Sequence, residues 1–164
     1  MNASFDLLDD FGDKIFSYIN FYLSKKITAD LEIADIKELS PELLDDLLLN
    51  GIKGLIIDLD DTLRFNKEDI PEPNKEWLLM AKNKMKVVIL SNGYCLSTNK
   101  YLQEHNIKYL GLAYKPSKLS FYKALKSLEL RPKEVLMIGD DFFSDIYGGK
   151  RNHIKTVLVR NLEK

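Results

Sequence analysis

The sequence predicts an α/β fold: a doubly wound, parallel five-stranded sheet with flanking helices. Short, continuously apolar runs, as expected of strands buried on both faces, alternate along the chain with longer segments of helical character. Polar residues follow four of these runs, and ligands of such sheets bind beyond the carboxyl ends of the strands. The alternation of strand and helix implies a parallel sheet with right-handed crossovers.

The first fifty residues are expected to form a helical extension, followed by a single core domain at residues 51–164. Ser40 and Pro41 mark the start of a helix, because serine is a favoured N-cap and proline fits the first helical position. Asn50 and Gly51 end it. An earlier helix is expected at residues 13–26, where apolar side chains share one broad face.

The apolar face at residues 13–26 has two interpretations, and both stay open. It packs on the sheet or a partner, or it lies in a membrane surface as an interfacial helix. Its aromatic side chains suit a membrane interface, and Lys14, Lys25 and Lys26 are suited to anionic headgroups. Acidic residues at positions 6, 9, 10 and 13 argue against membrane contact.

The core elements follow in regular order. Each expected strand is a short run rich in valine, isoleucine or leucine, and the helices fall between them. The strands are expected at residues 54–58, 86–90, 108–113, 135–138 and 156–159. The helices are expected at residues 73–84, 97–106, 118–130 and 142–150.

Composition restricts the class of protein. The 164 residues suit one domain, and 45% hydrophobic with 30% charged residues is typical of a globular protein. A net charge of −1 provides no strong field for nucleic acid, which is not expected as a partner. Cys95 is the single cysteine, which excludes an intramolecular disulfide and fits a reducing compartment. We therefore expect the cytoplasm or an organelle matrix, with peripheral membrane contact left open.

Polar residues suited to phosphate chemistry follow the first four strands. They are Asp58, Asp60 and Thr62 after the first, Ser91 and Asn92 after the second, Lys115 after the third, and Asp140 and Asp145 after the fourth. A parallel sheet brings these strand ends to one edge. Clustered carboxylates repel one another unless a cation neutralises them, and such oxygen ligands suit Mg²⁺. Asp140 is expected to complete the metal shell, with Asp145 ligating the metal or orienting its ligands.

These residue types can divide phosphate transfer among them. Asp58, at a strand end, can attack phosphorus and form an aspartyl-phosphate. Asp60 points to the same side of an extended chain, where it can protonate the leaving oxygen and then deprotonate the attacking water. Lys115 is expected to neutralise charge on the nucleophile and the phosphoryl group. Phosphate oxygens are expected to bind Ser91, Asn92 and Thr62.

At these residues the sequence resembles the haloacid-dehalogenase (HAD) superfamily. The first HAD motif is an apolar strand followed by Asp-x-Asp-x-Thr, here residues 58–62, and the second is a strand ending in Ser91. The third motif is Lys115, and the fourth is Gly-Asp followed by an acid, here residues 139–140 and Asp145. The resemblance rests on all four motifs occurring in this order.

The resemblance implies that Asp58 is the nucleophile and a metal ligand, and that Asp140 is a further ligand. It implies that Asp60 is the acid–base and binds Mg²⁺ through its backbone carbonyl. The segments on either side of the second strand are too short for a cap domain. We therefore expect a capless member with an open site that accepts large phosphoesters.

More narrowly, the chain resembles the YqeG-type group of subfamily IIIA, which is related to phosphatidylglycerophosphate phosphatases. Residues 51–63, Lys115-Pro116 and residues 139–149 carry this resemblance. Asp141 stands where the group usually has glutamine, and His153 falls near a usual glycine. Asp141 adds negative charge beside the metal site. Either Asp140 or Asp141 is expected to cap the helix that begins near Phe142, and Asp141 is favoured.

The expected function is Mg²⁺-dependent hydrolysis of a phosphate monoester, with phosphatidylglycerophosphate as the expected substrate. A soluble metabolite, nucleotide or protein phosphate is the alternative substrate, and a catalytically silent phosphate-binding module is the alternative outside enzymes. A signalling receiver domain is disfavoured because it carries its phosphorylated aspartate on the third strand, whereas Asp58 follows the first.

Overall fold

The computed structural model describes residues 15, 17–19, 21, 22 and 25–160, and its centre is one parallel sheet of six strands. The strands are β1 (Leu31–Ile33), β2 (Gly54–Ile57), β3 (Lys86–Leu90), β4 (Lys108–Leu110), β5 (Val135–Gly139) and β6 (Lys155–Val159). Their order across the sheet is β1-β6-β5-β2-β3-β4, with every pair parallel. The predicted doubly wound α/β fold is confirmed.

The sheet has one strand more than the sequence predicted, and the extra strand β1 lies in the segment expected to be helical. It pairs with β6, Leu31 opposite Val157. Because only Ile33 of its three residues is buried, no apolar run marks it in the sequence. Asp30 holds the junction, since its carboxylate accepts a hydrogen bond from the Thr156 amide at 2.7 Å. The division at residue 50 stays a prediction.

Between β1 and β6, where every residue is described, five α-helices connect the strands. They are α1 (Pro41–Leu49), α2 (Glu72–Lys84), α3 (Leu96–Glu104), α4 (Lys118–Leu128) and α5 (Gly148–Arg151). The same part of the chain also contains two 3₁₀ turns, Ile36–Glu38 and Pro132–Glu134, and a π-helical segment, Phe142–Tyr147. The helix start predicted at Ser40 is confirmed, because Ser40 Oγ accepts a hydrogen bond from the Leu43 amide at 3.3 Å. The helix predicted at residues 142–150 is instead the π-helical segment followed by α5.

The core lies on both faces of the sheet. Side chains alternate along β2, so Leu55 and Ile57 pack on one face and Ile56 on the other. Trp77 of α2 anchors the first face, where its indole N–H donates to the Leu39 carbonyl at 2.9 Å. Phe121 of α4 is fully buried on the second face. Residues 58–85 and 91–107, all described, contain one helix each, as expected of a capless protein.

The amphipathic helix predicted at residues 13–26 lies partly outside the described residues. Those described up to residue 22 are helical, and their large apolar side chains are exposed: Ile15, Tyr18, Phe21 and Tyr22. The ammonium groups of Lys25 and Lys26 lie 4.2 and 4.5 Å from ring centroids in this group. Within the described part of the chain, no helix has the length and apolar character needed to cross a bilayer.

Candidate active site

The two strands at the centre of the sheet position the first carboxylates. β2 and β5 are neighbours, but the connection after β2 leads to β3 on one side, whereas that after β5 leads to β6 on the other. Such a switch point opens a crevice beyond the carboxyl ends of the strands. The Asp58 amide donates to the Ile138 carbonyl at 2.9 Å, which extends the pairing of the two strands. Asp58 and Asp140 therefore follow adjacent strands at this crevice.

Lys115 lies between two of the predicted carboxylates. Its ammonium group donates to Asp58 Oδ1 at 2.5 Å and to Asp145 Oδ1 at 2.6 Å. All three side chains are at most 9% exposed. Burial of charged groups is costly unless each is paired, and here two carboxylates share one ammonium. The described contacts thus bring together residues from three separate loops, as the motif order predicts.

Burial, together with the charges that the three groups exert on one another, shifts the pKa of each of them. Burial, opposed by Lys115 and reinforced by Asp145, raises the pKa of Asp58 to about 7. Burial likewise raises the pKa of Asp145. Burial acting alone would lower the pKa of Lys115, but Asp145 and Asp58 outweigh it and raise that pKa. The site is therefore built to hold a further positive charge.

The donor set fits a divalent cation. Asp58, Asp140 and Asp145 each offer a carboxylate oxygen, and these oxygens all lie within 4.8 Å of one another. Oxygen ligands of high charge are those that Mg²⁺ prefers, since it also keeps waters and binds substrate phosphate. The side chain of Asp60 lies outside this cluster. Its predicted metal contact, through the backbone carbonyl, stays a prediction.

Asp60 lies beside Ser91, the predicted phosphate-binding residue that follows β3. Its Oδ1 accepts a hydrogen bond from Arg64 Nε at 2.8 Å, and its Oδ2 accepts one from the Ser91 hydroxyl at 3.4 Å. Ser91 Oγ also accepts a hydrogen bond from the Gly93 amide at 3.1 Å. A Cβ at Gly93 would lie 3.2 Å from Asp60 Oδ2, so glycine leaves room for this carboxylate. The predicted acid–base and the predicted phosphate ligand are therefore neighbours.

Asn92 is tied to the backbone of Lys115. Its Oδ1 accepts a hydrogen bond from the Lys115 amide at 2.5 Å, and its Nδ2 donates to the Lys115 carbonyl at 3.3 Å. In this arrangement Asn92 holds the lysine in place, and its expected contact with phosphate stays a prediction. Thr62 Oγ1 is buried and has no hydrogen-bond partner among the described residues. Its expected contact with phosphate also stays a prediction.

The fourth motif is shaped by Asp141, which caps the π-helical segment. Its Oδ1 accepts hydrogen bonds from the Ser144 amide at 2.6 Å and the Ser144 hydroxyl at 2.9 Å. This confirms the capping role expected of Asp141. The cap starts the turn that carries Asp145, whose Oδ2 accepts from the Asp141 amide at 3.2 Å. Asp145 is fully buried.

Sequence reasoning missed Arg64. This residue is 4% exposed and pairs with Asp60, four positions earlier. The available signal was an arginine inside the apolar stretch Leu63-Arg64-Phe65, directly after the first motif. A charged side chain in such a stretch is rarely buried without a partner.

Comparisons with known proteins identify the family of the chain. A family model described as HAD-hydrolase-like matches residues 113–161. The chain is 30% identical over 139 residues to the probable phosphatase YqeG of Bacillus subtilis (strain 168). That match covers 84% of this chain and 79% of the relative. The chain belongs to the HAD-like phosphatase superfamily.

Two further similarities are more local or more distant. Over 46 residues the chain is 49% identical to a glyceraldehyde 3-phosphate phosphatase of Pyrococcus furiosus. That match covers 28% of this chain and 19% of the Pyrococcus protein. A HAD family enzyme from Bacteroides thetaiotaomicron, solved with magnesium and inorganic phosphate, superimposes with a TM-score of 0.58 at 17% identity. The superposition covers 70% of this chain and 97% of the Bacteroides chain, and it supports the assignment of the fold.

Proposed function

We propose that the chain hydrolyses a phosphate monoester in a Mg²⁺-dependent reaction with Asp58 as nucleophile, and that phosphatidylglycerophosphate is the substrate. One observation carries the first part: Asp58 meets Asp140 and Asp145 within 4.8 Å at the switch point of the sheet, with Lys115 bonded to two of them. The magnesium and phosphate held by the Bacteroides enzyme add support for the cofactor.

The first half of the reaction transfers the phosphoryl group to the protein. A carboxylate oxygen of Asp58 forms a bond to phosphorus as the bond from phosphorus to the leaving oxygen breaks. The proton of Asp60 passes to that leaving oxygen, so a neutral alcohol departs. The ammonium of Lys115, already bonded to Asp58, stabilises the negative charge around the nucleophile.

The second half frees the protein. Asp60, now a carboxylate, takes a proton from water as the water oxygen bonds phosphorus and the aspartyl-phosphate bond breaks. Inorganic phosphate leaves, and Asp60 is again protonated. Asp58, Asp140 and Asp145 would hold Mg²⁺, which supplies positive charge to the phosphate oxygens. The buried Thr62 hydroxyl, without a partner among the described residues, supports a polar ligand beside this motif.

The lipid substrate is supported by an exposed apolar rim on the segments that carry the site. Its members all follow β3 or β4 and are more than half exposed: Tyr94, Leu96, Leu112, Tyr114, Leu119 and Tyr122. Leu112 and Tyr114, within the three residues before Lys115, adopt positive φ angles of 50° and 55°. Bulky residues in this region are strained, and strain concentrates at functional sites. Leu112, Tyr114 and Leu119 line one pocket, and exposed apolar side chains grouped beside a site are typical of an interaction surface.

The mechanism is tested by phosphate release from nitrophenyl phosphate, with Mg²⁺ or with a chelator. We expect release only with Mg²⁺, none from Asp58→Asn, and full release from Asp45→Asn, an exposed aspartate on α1. An acid-quenched reaction should carry a phosphoryl group on Asp58. Release that persists in Asp58→Asn would refute the nucleophile.

The substrate is tested with phosphatidylglycerophosphate in liposomes. Leu112→Asn and Tyr114→Asn keep a residue type that tolerates positive φ while removing apolar surface. Each is expected to lower lipid turnover about 10-fold, which corresponds to about 1.4 kcal/mol, with nitrophenyl phosphate turnover unchanged. Activity on soluble esters alone would keep the mechanism and exclude the lipid substrate.

A further inference from the structure

We propose that Arg64 is a positioning residue for the acid–base. It fixes one oxygen of Asp60, so that the other oxygen, Oδ2, faces the phosphate-binding segment and carries the transferred proton. This inference rests on the proposed function, in which Asp60 exchanges a proton with the leaving oxygen and with water.

The contacts of Asp60 distinguish its two oxygens. Arg64 Nε donates to Oδ1 at 2.8 Å, and Arg64 Nη2 forms an ion pair with the same oxygen at 2.8 Å. A charge-assisted hydrogen bond reinforced by an ion pair from the same planar group is strong and defines the orientation of the carboxylate. Oδ2 is turned the other way, 3.4 Å from the Ser91 hydroxyl and close to Gly93. Because the arginine engages Oδ1, and Oδ2 has only the long contact with the Ser91 hydroxyl, Oδ2 is the oxygen left for proton transfer.

The guanidinium is itself held, which a positioning role requires. Its Nη1 donates to Thr98 Oγ1 at 3.3 Å, and its side chain is 5% exposed. The three nitrogens are therefore engaged by Asp60 and Thr98, and little of the group reaches solvent. Arg64 is thus placed to act through Asp60 and not by contacting substrate.

The backbone between Asp60 and Arg64 closes into a tight loop. The Asp61 amide donates to the Arg64 carbonyl at 2.7 Å, and the Arg64 amide donates to the Leu59 carbonyl at 3.0 Å. Asn74 of α2 donates to the Leu63 carbonyl at 2.8 Å. The loop thereby fixes the arginine beside the carboxylate by contacts that do not depend on the side-chain pair.

A positioning role predicts a dependence on the leaving group. An alkoxide leaves only with a proton from Asp60, whereas nitrophenolate is stable enough to leave without one. A misplaced Asp60 should therefore harm alkyl phosphate turnover and spare the first step with nitrophenyl phosphate. A purely structural role would affect both substrates equally. The ratio kcat/KM isolates this first step, because the hydrolysis of the phosphorylated protein follows it.

The experiment compares kcat/KM for glycerol phosphate and nitrophenyl phosphate in Mg²⁺. Arg64→Met removes the donors and keeps most of the stem, and Arg64→Lys restores one charged donor. Arg131→Met is the matched control, since Arg131 pairs with Glu134 at 3.0 Å before β5, at the opposite end of that strand from the site. Thermal unfolding of every variant measures folding separately, and Asp60→Asn defines the full loss.

For Arg64→Met we expect a loss of about 100-fold with glycerol phosphate, within the range that acid–base catalysis contributes, and less than about 3-fold with nitrophenyl phosphate. Arg64→Lys should recover part of the glycerol phosphate activity, and Arg131→Met should match the wild type. Equal losses on both substrates, or no loss on either, would overturn the role of Arg64. If Asp60→Asn keeps full activity with glycerol phosphate, the proposed acid–base fails, and the role of Arg64 fails with it.

Discussion

Replacing Asp58 with asparagine should stabilise the metal-free protein, because the buried site then holds a neutral ion pair instead of three charges. In the wild type Lys115 is shared between Asp58 and Asp145, at 2.5 and 2.6 Å. In Asp58→Asn the ammonium keeps Asp145 as its charged partner. The amide oxygen at position 58 can still accept its hydrogen bond.

The size and sign of the effect follow from the pKa of Asp58, which burial and Asp145 raise from 3.8 to about 7. Below about pH 4 the Asp58 carboxyl is protonated in both the folded and the unfolded chain, so its ionisation does not change the free energy of unfolding. As the pH rises towards 7 the unfolded chain ionises first, and the wild type loses stability. One pKa unit corresponds to about 1.4 kcal/mol, so the loss reaches about 4 kcal/mol above pH 7.

The assay is urea unfolding in the presence of a chelator, at several pH values between about 4 and 8. Trp77, the single tryptophan, is buried and reports the transition by its fluorescence. The advantage of Asp58→Asn should grow from near zero to about 4 kcal/mol across this range. Adding Mg²⁺ at the higher pH should stabilise the wild type more than the variant, because a ligand carboxylate is missing from the latter.

Asp45→Asn is the control for this series. The Asp45 carboxylate is exposed and accepts a hydrogen bond from Lys84 at 2.5 Å, so its loss should change stability by less than about 1 kcal/mol. An advantage of Asp58→Asn that does not vary with pH would refute the reasoning, since it would show that the Asp58 carboxylate is fully compensated in the folded protein.

Three further outcomes are expected. Gly139→Ala should lower the rate of phosphate release about 100-fold. The reason is that the added Cβ would overlap the Asp145 carboxylate and displace that carboxylate from Lys115. Trp77→Phe should lower the free energy of unfolding, followed by circular dichroism, by about 1–2 kcal/mol, since the buried carbonyl bonded to the indole loses its donor. Hydrogen bonds with Ser97, and to a smaller extent with Thr98, lower the pKa of Cys95 to about 6. The rate of alkylation of the Cys95 thiol should therefore rise as the pH passes through 6, and Cys95→Ser should not be alkylated.

Much of the core was predictable because its signals are local. β2, β3 and β5 are continuous apolar runs, and burial on both faces is what selects such composition. β1 was not predictable, since its three residues are stabilised by pairing with β6 and by Asp30 at their start. A strand that depends on partners more than a hundred positions away leaves almost no pattern of its own.

The same distinction applies to the candidate site. The sequence by itself determined the residue types and their order after successive strands, because parallel strands deliver their carboxyl ends to one edge. The tertiary structure alone decided the pairings: Lys115 with both Asp58 and Asp145, Asn92 with the Lys115 backbone, and Arg64 with one oxygen of Asp60. Charge sharing and hydrogen-bond direction depend on distances of a few ångströms between loops, and sequence spacing does not contain them.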